Sequence, residues 1–176
     1  MLTKNWYEYF RLYMGTVSVN IANEHGKVVD VNGSQFTPWT YSSQNSYIYP
    51  STIYSNPFAT KKTANGLHFG DGNTAPTKDD YYLSGNQITT LNRSSQVIEN
   101  FFDGDTIGTR FALTVRNTGT SEVTVREMAW VINLQASNAS KYFMLDRTVL
   151  DEPVTIAAGD YAVIRYTISF TMPIPT

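Results

Sequence analysis

Phe111-Ala112-Leu113-Thr114-Val115-Arg116-Asn117, then Thr118-Gly119-Thr120-Ser121, then Glu122-Val123-Thr124-Val125-Arg126-Glu127-Met128-Ala129-Trp130-Val131-Ile132: two strand-like runs flank a short turn. Successive side chains on a strand point to opposite faces, so Phe111, Leu113 and Val115 share one face while Thr114 and Arg116 take the other. Gly119 accepts positive φ, and Asn, Thr and Ser bond their own backbone, so residues 117–121 read as the turn of a β-hairpin. A second pair is predicted downstream. It consists of residues 142–150 and 153–156, a turn at Ala157-Ala158-Gly159-Asp160, and a run from Tyr161 to Phe170. There Ala162, Ile164, Tyr166, Ile168 and Phe170 fall on one face, and Arg165, Thr167 and Ser169 on the other. The last third, residues 110–172, therefore reads as the wall of an all-β, antiparallel β-sandwich, jelly-roll-like or Ig-like, with one face in the core.

Composition narrows the class. A chain of 176 residues is expected to form one domain, 1–176, and can bury roughly 70% of the surface its unfolded form exposes. There are no cysteines, so disulfides and thiolate metal sites are unavailable, which fits synthesis in a reducing cytoplasm. Charged residues make up 16% of the chain against about 25% in an average soluble domain, while aromatics reach 14%. Tyr and Trp give large contact area at low rotamer cost, so this balance favours an interaction protein. The net charge of −2, with no basic run beyond Lys61-Lys62, argues against a nucleic-acid partner. No apolar stretch approaches the ~18 residues of a membrane span, and no signal-peptide pattern opens the chain.

Two regions precede the strand-rich part. Thr3 is placed as the N-cap of a short helix over residues 3–14, with Trp6, Phe10 and Tyr13 or Met14 at helical spacing and Gly15 as its stop. Such a helix spans only ~16 Å and must dock to be stable; it packs on its own sheet or, through Trp6, Tyr9, Phe10 and Tyr13, on a neighbour. Residues 16–21 and 27–31 alternate as strands, with turns at Asn23-Glu24-His25-Gly26 and Asn32-Gly33. After Phe36 the pattern dissolves into a long loop, 36–64, that carries Trp39, Tyr41, Tyr47 and Tyr49. Connections beyond about 15 residues are usually functional or covered, and the interleaved aromatics point to an ordered excursion that contacts its own sheet or a partner.

No motif with catalytic spacing emerges. His25 and His68 lack the further ligands that an acid/base or zinc site needs, so each reads as a single solvated or packed histidine. Asp71-Gly72-Asn73 and Asp103-Gly104-Asp105 place oxygens two apart, as calcium loops do, but the twelfth positions are Tyr82 and Thr114, and turn chemistry accounts for both. Glu99, Asp103, Asp105, Glu127, Asp151 and Glu152 could supply a glycosidase pair, though nothing singles two of them out; Glu127 could instead pair with Arg147 or Arg165. The glycines of residues 69–73 lack the third glycine and helix of a dinucleotide loop, and no nucleophile elbow occurs. Catalytic residues, cofactors and metals are thus expected to be absent.

Three segments carry a further signal. Gly70, Gly72, Thr74, Pro76, Asp80, Tyr81 and Leu83 form a GxGxTxPxxxDYxL element; Val123-Thr124-Val125-Arg126-Glu127-Met128-Ala129 follows an ITVREIG-like strand; and Leu145 to Gly159 follows an LxRxVLxxPVTIxxG pair. Together they resemble a family of small tailed-phage structural proteins, as does the opening Leu2-Thr3-Lys4-Asn5-Trp6-Tyr7-Glu8. Val123, Met128 and Ala129 depart from the second pattern, and residues 36–64 lie outside the resemblance altogether. Thr77-Lys78-Asp79-Asp80, within the first element, is read as a single helical turn capped by Thr77. The resemblance implies a non-enzymatic virion component: a capsid decoration or auxiliary head protein, or alternatively a tail or baseplate component. Its partners would be the major capsid protein or tail proteins, with many copies per particle or a homo-oligomer. The contact residues expected from composition and loop length are Trp6, Tyr9, Phe10, Tyr13, Trp39, Tyr41, Tyr47 and Tyr49. A carbohydrate- or receptor-binding module is the reading from another class, since fold alone does not settle function.

Overall fold

A computed structural model describes residues 1, 3, 28–36, 61–136 and 139–171, with backbone alone at 28, 35, 36, 133–136, 139–141 and 170. Every regular element among them is a strand: β1 (Val28–Val29), β2 (Gln35–Phe36), β3 (Gly66–Gly70), β4 (Leu91–Asp103), β5 (Thr106–Asn117), β6 (Val123–Ala136), β7 (Ala139–Ile156) and β8 (Tyr161–Thr171). They form a small β1-β2 ribbon and two antiparallel three-stranded sheets, ordered β3-β6-β7 and β4-β5-β8. The chain divides into two compact units, residues 1–89 with 124–154 and residues 90–123 with 155–176. The expected helix 3–14 and loop 36–64 lie outside the described residues, apart from Thr3, Phe36 and residues 61–64.

In the first unit, Asp30 organises the β1-β2 turn. Its carboxylate accepts from the backbone N–H of Asn32 and Ser34 at 3.0 and 2.9 Å, and Gly33, with φ of 81°, turns the chain at the Asn32-Gly33 signal. Every residue of β3 is buried, and β6 is buried on both faces from Glu127 to Ile132. Such a strand loses its alternation because both sides meet protein. Val31, Leu83, Ala129, Val131 and Met144 form an apolar cluster, with Tyr82 and Tyr142 packed against it. β7, at the sheet edge, tolerates Pro153 because an edge strand can spare a ladder donor. Part of its edge is occupied: Val31 and Thr3 donate their backbone N–H to the carbonyls of Tyr142 and Leu145, and Arg147 donates to that of Met1. Thr3 Oγ1 donates to the Met144 carbonyl at 2.8 Å.

The second unit follows the predicted faces. Phe111, Leu113, Val115, Ile164 and Tyr166 are buried, whereas Arg110, Arg116, Arg165, Thr167 and Ser169 are exposed. Register explains the agreement, because Phe111 sits opposite Tyr166 and Leu113 opposite Ile164, so both strands turn their apolar side chains the same way. The Phe111 and Tyr166 rings lie 6.5 Å apart.

Strand partners differ from those expected. β5 pairs with β4 and β8, and β6 with β3 and β7, so residues 118–122 link two sheets and do not close a hairpin. The groups a hairpin ladder would use are spent elsewhere: Thr118 N–H donates to the Thr90 carbonyl, Asn117 N–H to that of Asp160, and Gly119 N–H to Asn117 Oδ1. The Asn117 side chain, fully buried, also donates to the carbonyls of Ser121 and Ile156. The second expected pair is likewise split. The turn before Tyr161 is real, with Gly159 at φ of 83°, but β7 and β8 belong to different sheets.

Candidate functional site

The first unit holds a closed buried ionic network built from all three family-like segments. Glu127 on β6 is 0% exposed and Arg147 on β7 is 1% exposed. Arg147 Nε donates to Glu127 Oε2 at 2.6 Å, its NH1 to Asp80 Oδ2 at 2.6 Å, and its NH2 to the Thr74 carbonyl at 2.7 Å. All three edges of the guanidinium are therefore occupied, by two carboxylates and a backbone oxygen. The planar fork of arginine matches such an arrangement where a lysine point charge would not.

The loop between β3 and β4 supplies the remaining partners. Glu127 Oε1 accepts from the backbone N–H of Gly72 and Gly85 at 3.2 and 2.8 Å, and Oε2 from the N–H and hydroxyl of Ser84 at 3.0 and 3.2 Å. Two glycines make this wrapping possible. A Cβ at Gly72 would fall 2.4 Å from both Glu127 Oε1 and Gly85 N, and one at Gly85 would fall 2.3 Å from Gly72 N. No side chain fits between backbones that close. Asp71 pins the same crossing, accepting from Asn86 N–H at 2.6 Å. Its carboxylate thus ties together two stretches 15 residues apart, where the sequence suggested a local turn.

Asp80 is fixed by its own turn. The Thr77 hydroxyl and N–H donate to its two carboxylate oxygens at 2.8 and 2.9 Å, and Asp80 N–H closes the turn on the Thr77 carbonyl. The single turn expected over Thr77-Lys78-Asp79-Asp80 is present, and it does not continue into a helix. Burial opposes the charged forms of Glu127 and Asp80, yet the donors more than offset it. Ser84, Gly85 and Arg147 hold Glu127 below the ordinary carboxylate range, and Thr77 and Arg147 do the same for Asp80.

His68 stands at the flank of this network, fully buried in mid-β3. Its Nε2 faces the Ala64 carbonyl at 2.9 Å, so Nε2 carries the proton. Nδ1 then accepts, facing the Tyr82 hydroxyl at 2.7 Å and the Gln87 amide at 3.3 Å. Burial lowers the imidazole pKa from 6.5 to about 4, partly countered by the Ala64 carbonyl, which leaves it neutral at pH 7. Burial, with a smaller contribution from the Glu127 charge, pushes the Tyr82 phenol well above its ordinary value. A cavity of about 460 Å³ opens alongside, lined by Lys62, Thr74, Asp80, Tyr82, Gln87 and Arg147 among others. Lys62 Nζ sits 4.7 Å from the centre of the Tyr82 ring.

The oxygens of Glu127 and the nitrogens of Arg147 are committed to each other, to the backbone and to the Asp80 and Ser84 side chains, so neither is poised to move a proton. Their joint effect is to clamp the β3–β4 loop onto β6 and β7. The other nominated carboxylates are not part of the clamp: Glu99, Asp103, Asp105, Asp151 and Glu152 are all exposed. Asp103 and Asp105 flank Gly104 in the turn that closes the β4-β5 pair. Among the described residues no cluster of three His, Asp or Glu side chains could hold a metal ion, and no helix is long and apolar enough to cross a membrane. The contact residues expected from the sequence, Trp6, Tyr9, Phe10, Tyr13, Trp39, Tyr41, Tyr47 and Tyr49, lie outside the described residues.

Sequence reading offered Arg147 as one of two partners for Glu127, and the structure selects it. It missed Asp80, Ser84 and Gly85. A signal for the network was nevertheless present, since an arginine inside the apolar run Phe143-Met144-Leu145-Asp146-Arg147 must be paired wherever it is buried. Comparison of the chain with protein-family models, curated proteins and solved structures finds no match.

Proposed function

We propose that this chain is a non-enzymatic structural component of a tailed-phage virion, a capsid decoration or auxiliary head protein, built as a β-sandwich with a short N-terminal helix. The observation that carries the reading is the convergence of the three family-like segments on one network. Gly72, Thr74 and Asp80 of the first, Glu127 of the second and Arg147 of the third meet around a single guanidinium. Motifs scattered over some 80 residues of sequence thus form one physical feature, and the reason for their residue types is architectural. A clamp with its polar atoms internally satisfied suits a protein whose work is to keep its shape in an assembly.

In the particle, each copy would bury an interaction patch on the shell, and repetition would turn modest single-site affinity into durable attachment. The test is direct. Particles purified from an infected host by density gradient should contain this chain in many copies, and gold-labelled antibody should mark their heads. Label on tails alone would move the protein to the runner-up tail or baseplate role. Recovery of the chain only in the soluble fraction would remove the virion assignment.

A further inference from the structure

We infer that the exposed face of the β4-β5-β8 sheet is a docking surface for an acidic face of another protein, anchored by Arg110, Arg116 and Arg165. The partner is identified by chemistry alone, and its placement in a particle rests on the virion reading above. Register puts these side chains together. Arg110, Ala112, Thr114 and Arg116 alternate along one side of β5, opposite Thr167, Arg165, Val163 and Tyr161 of β8. On β4, Val97 and Glu99 lie opposite Ala112 and Arg110 and share that face. Val97, Tyr161 and Val163 are 65%, 59% and 55% exposed.

The face is apolar and cationic at once. Against three arginines it carries Glu99, whose nearest approach to Arg110 is 3.8 Å, and Asp103, opposite Thr106 at the turn end of the sheet, so the face keeps a positive excess on a chain whose net charge is −2. Two of the guanidinium groups are already ordered: that of Arg110 lies 4.0 Å from the centre of the Phe101 ring, and that of Arg116 5.6 Å from that of Tyr161. A stacked guanidinium has lost part of its rotamer freedom while its in-plane N–H groups, in Arg116 those other than the Nε–H donated to the Gly159 carbonyl at 3.1 Å, remain suited to a carboxylate. Residues 90–123 and 155–176 contain four arginines and no lysine, which is the cation preference of protein interfaces, where Arg, Tyr and apolar anchors are enriched and Lys depleted. Nucleic acid fits less well, because a phosphate backbone rewards charge density and gains nothing from exposed valines beside a glutamate.

The test places tagged copies in competition with the untagged chain during infection and measures the tagged fraction in purified particles against that in the lysate. Tagged wild type should enter in proportion. R110S/R116S/R165S should fall about tenfold or more, whereas K61S/K78S, which removes charge elsewhere, should enter like wild type. Matching melting temperatures show that each variant is folded. R110K/R116K/R165K, which keeps the charge but loses the fork, should recover only part of the loss. If particles hold the triple Ser variant at the wild-type level, this inference fails alone; if they hold no copy of the chain at all, it fails together with the virion reading. Two further outcomes would also overturn it: wild-type retention of a DNA duplex or of phosphatidylglycerol vesicles, or self-association in sedimentation, abolished by the same three substitutions.

Discussion

Arg147 and the trio Arg110, Arg116 and Arg165 are the same side chain in opposite circumstances. Arg147 is sealed in the first unit, with its Nε, NH1 and NH2 all bonded at 2.6 to 2.7 Å. The trio stands exposed on the second unit's sheet, two of them resting on aromatic rings. The difference teaches that charge on this protein is spent in two ways. Inside, it fixes a loop whose glycines admit no alternative path; outside, it is held ready at little cost to folding. Substitutions should therefore separate stability from attachment.

The largest effect is expected for R147M. It leaves Glu127 buried without its counter-charge and Asp80 with fewer donors, and breaking a buried pair from one side costs about 3–5 kcal/mol. That is a large share of the ~5–15 kcal/mol that holds a typical domain folded. E127Q should come close, because its amide nitrogen must face one of the donors that the carboxylate accepts. Urea unfolding measures both, and a loss under about 1 kcal/mol in either would break the contrast between the two regions. G72A should cost roughly 2–4 kcal/mol, since the new methyl group must displace both the Glu127 carboxylate and the Gly85 backbone. A stable G72A protein with an unmoved loop would show that the clamp is not tight.

Acid should reach the first unit through His68. Its folded pKa of about 4 lies below the ordinary 6.5, so the unfolded chain binds the proton more readily. Stability is then complete above pH 6.5 and falls as pH drops towards 4. The expected loss is about 2 kcal/mol by pH 5 and about 3 kcal/mol at pH 4, because each tenfold difference in proton affinity between the folded and unfolded chains is worth about 1.4 kcal/mol. The depressed Glu127 and Asp80 carboxylates add their own loss, which begins as pH falls through the ordinary values of 4.5 and 3.8, where the unfolded chain takes up the protons, and continues until the folded carboxylates protonate. Unfolding midpoints between pH 7.5 and 4.5 should decline for wild type and flatten in H68N. Equal slopes in the two proteins would mean that the imidazole is charged in the folded state.

The two regions also differed in how much the sequence revealed. In the second unit, period-two alternation put Ala162, Ile164, Tyr166 and Ile168 on the covered face and Arg165, Thr167 and Ser169 on the exposed one, because one side of the sheet is buried and the other is not. Which strands pair was hidden. Asn117 and Gly119 signal a turn, but the same chemistry serves a link between sheets, and only the distant acceptors at Thr90, Ile156 and Asp160 decide between them. In the first unit, alternation fails along β3 and β6, since both faces are buried, and the network rests on contacts 20 to 73 residues apart in sequence. Its charged ends were visible as Glu127 and Arg147; the backbone donors of Ser84 and Gly85 have no sequence signature, as any residue but proline supplies an N–H.

The smallest effects sharpen the comparison most. R165S removes an exposed charge for which register provides only Ala112 and Val97 as cross-sheet neighbours, so its stability should stay within about 0.5 kcal/mol of wild type. R110S should cost slightly more. Its pair with Glu99, at 3.8 Å between side chains that are 52% and 61% exposed, contributes almost nothing after solvent screening, but the stacking on Phe101 is of the kind that contributes about 0.5–1 kcal/mol at an exposed site. The order R147M far above R110S, with R110S above R165S, follows from what each guanidinium touches, and chemical denaturation of the three proteins side by side tests it. If R165S proved as damaging as R110S, a contact from elsewhere in the chain would cover that face and leave less of it for a partner.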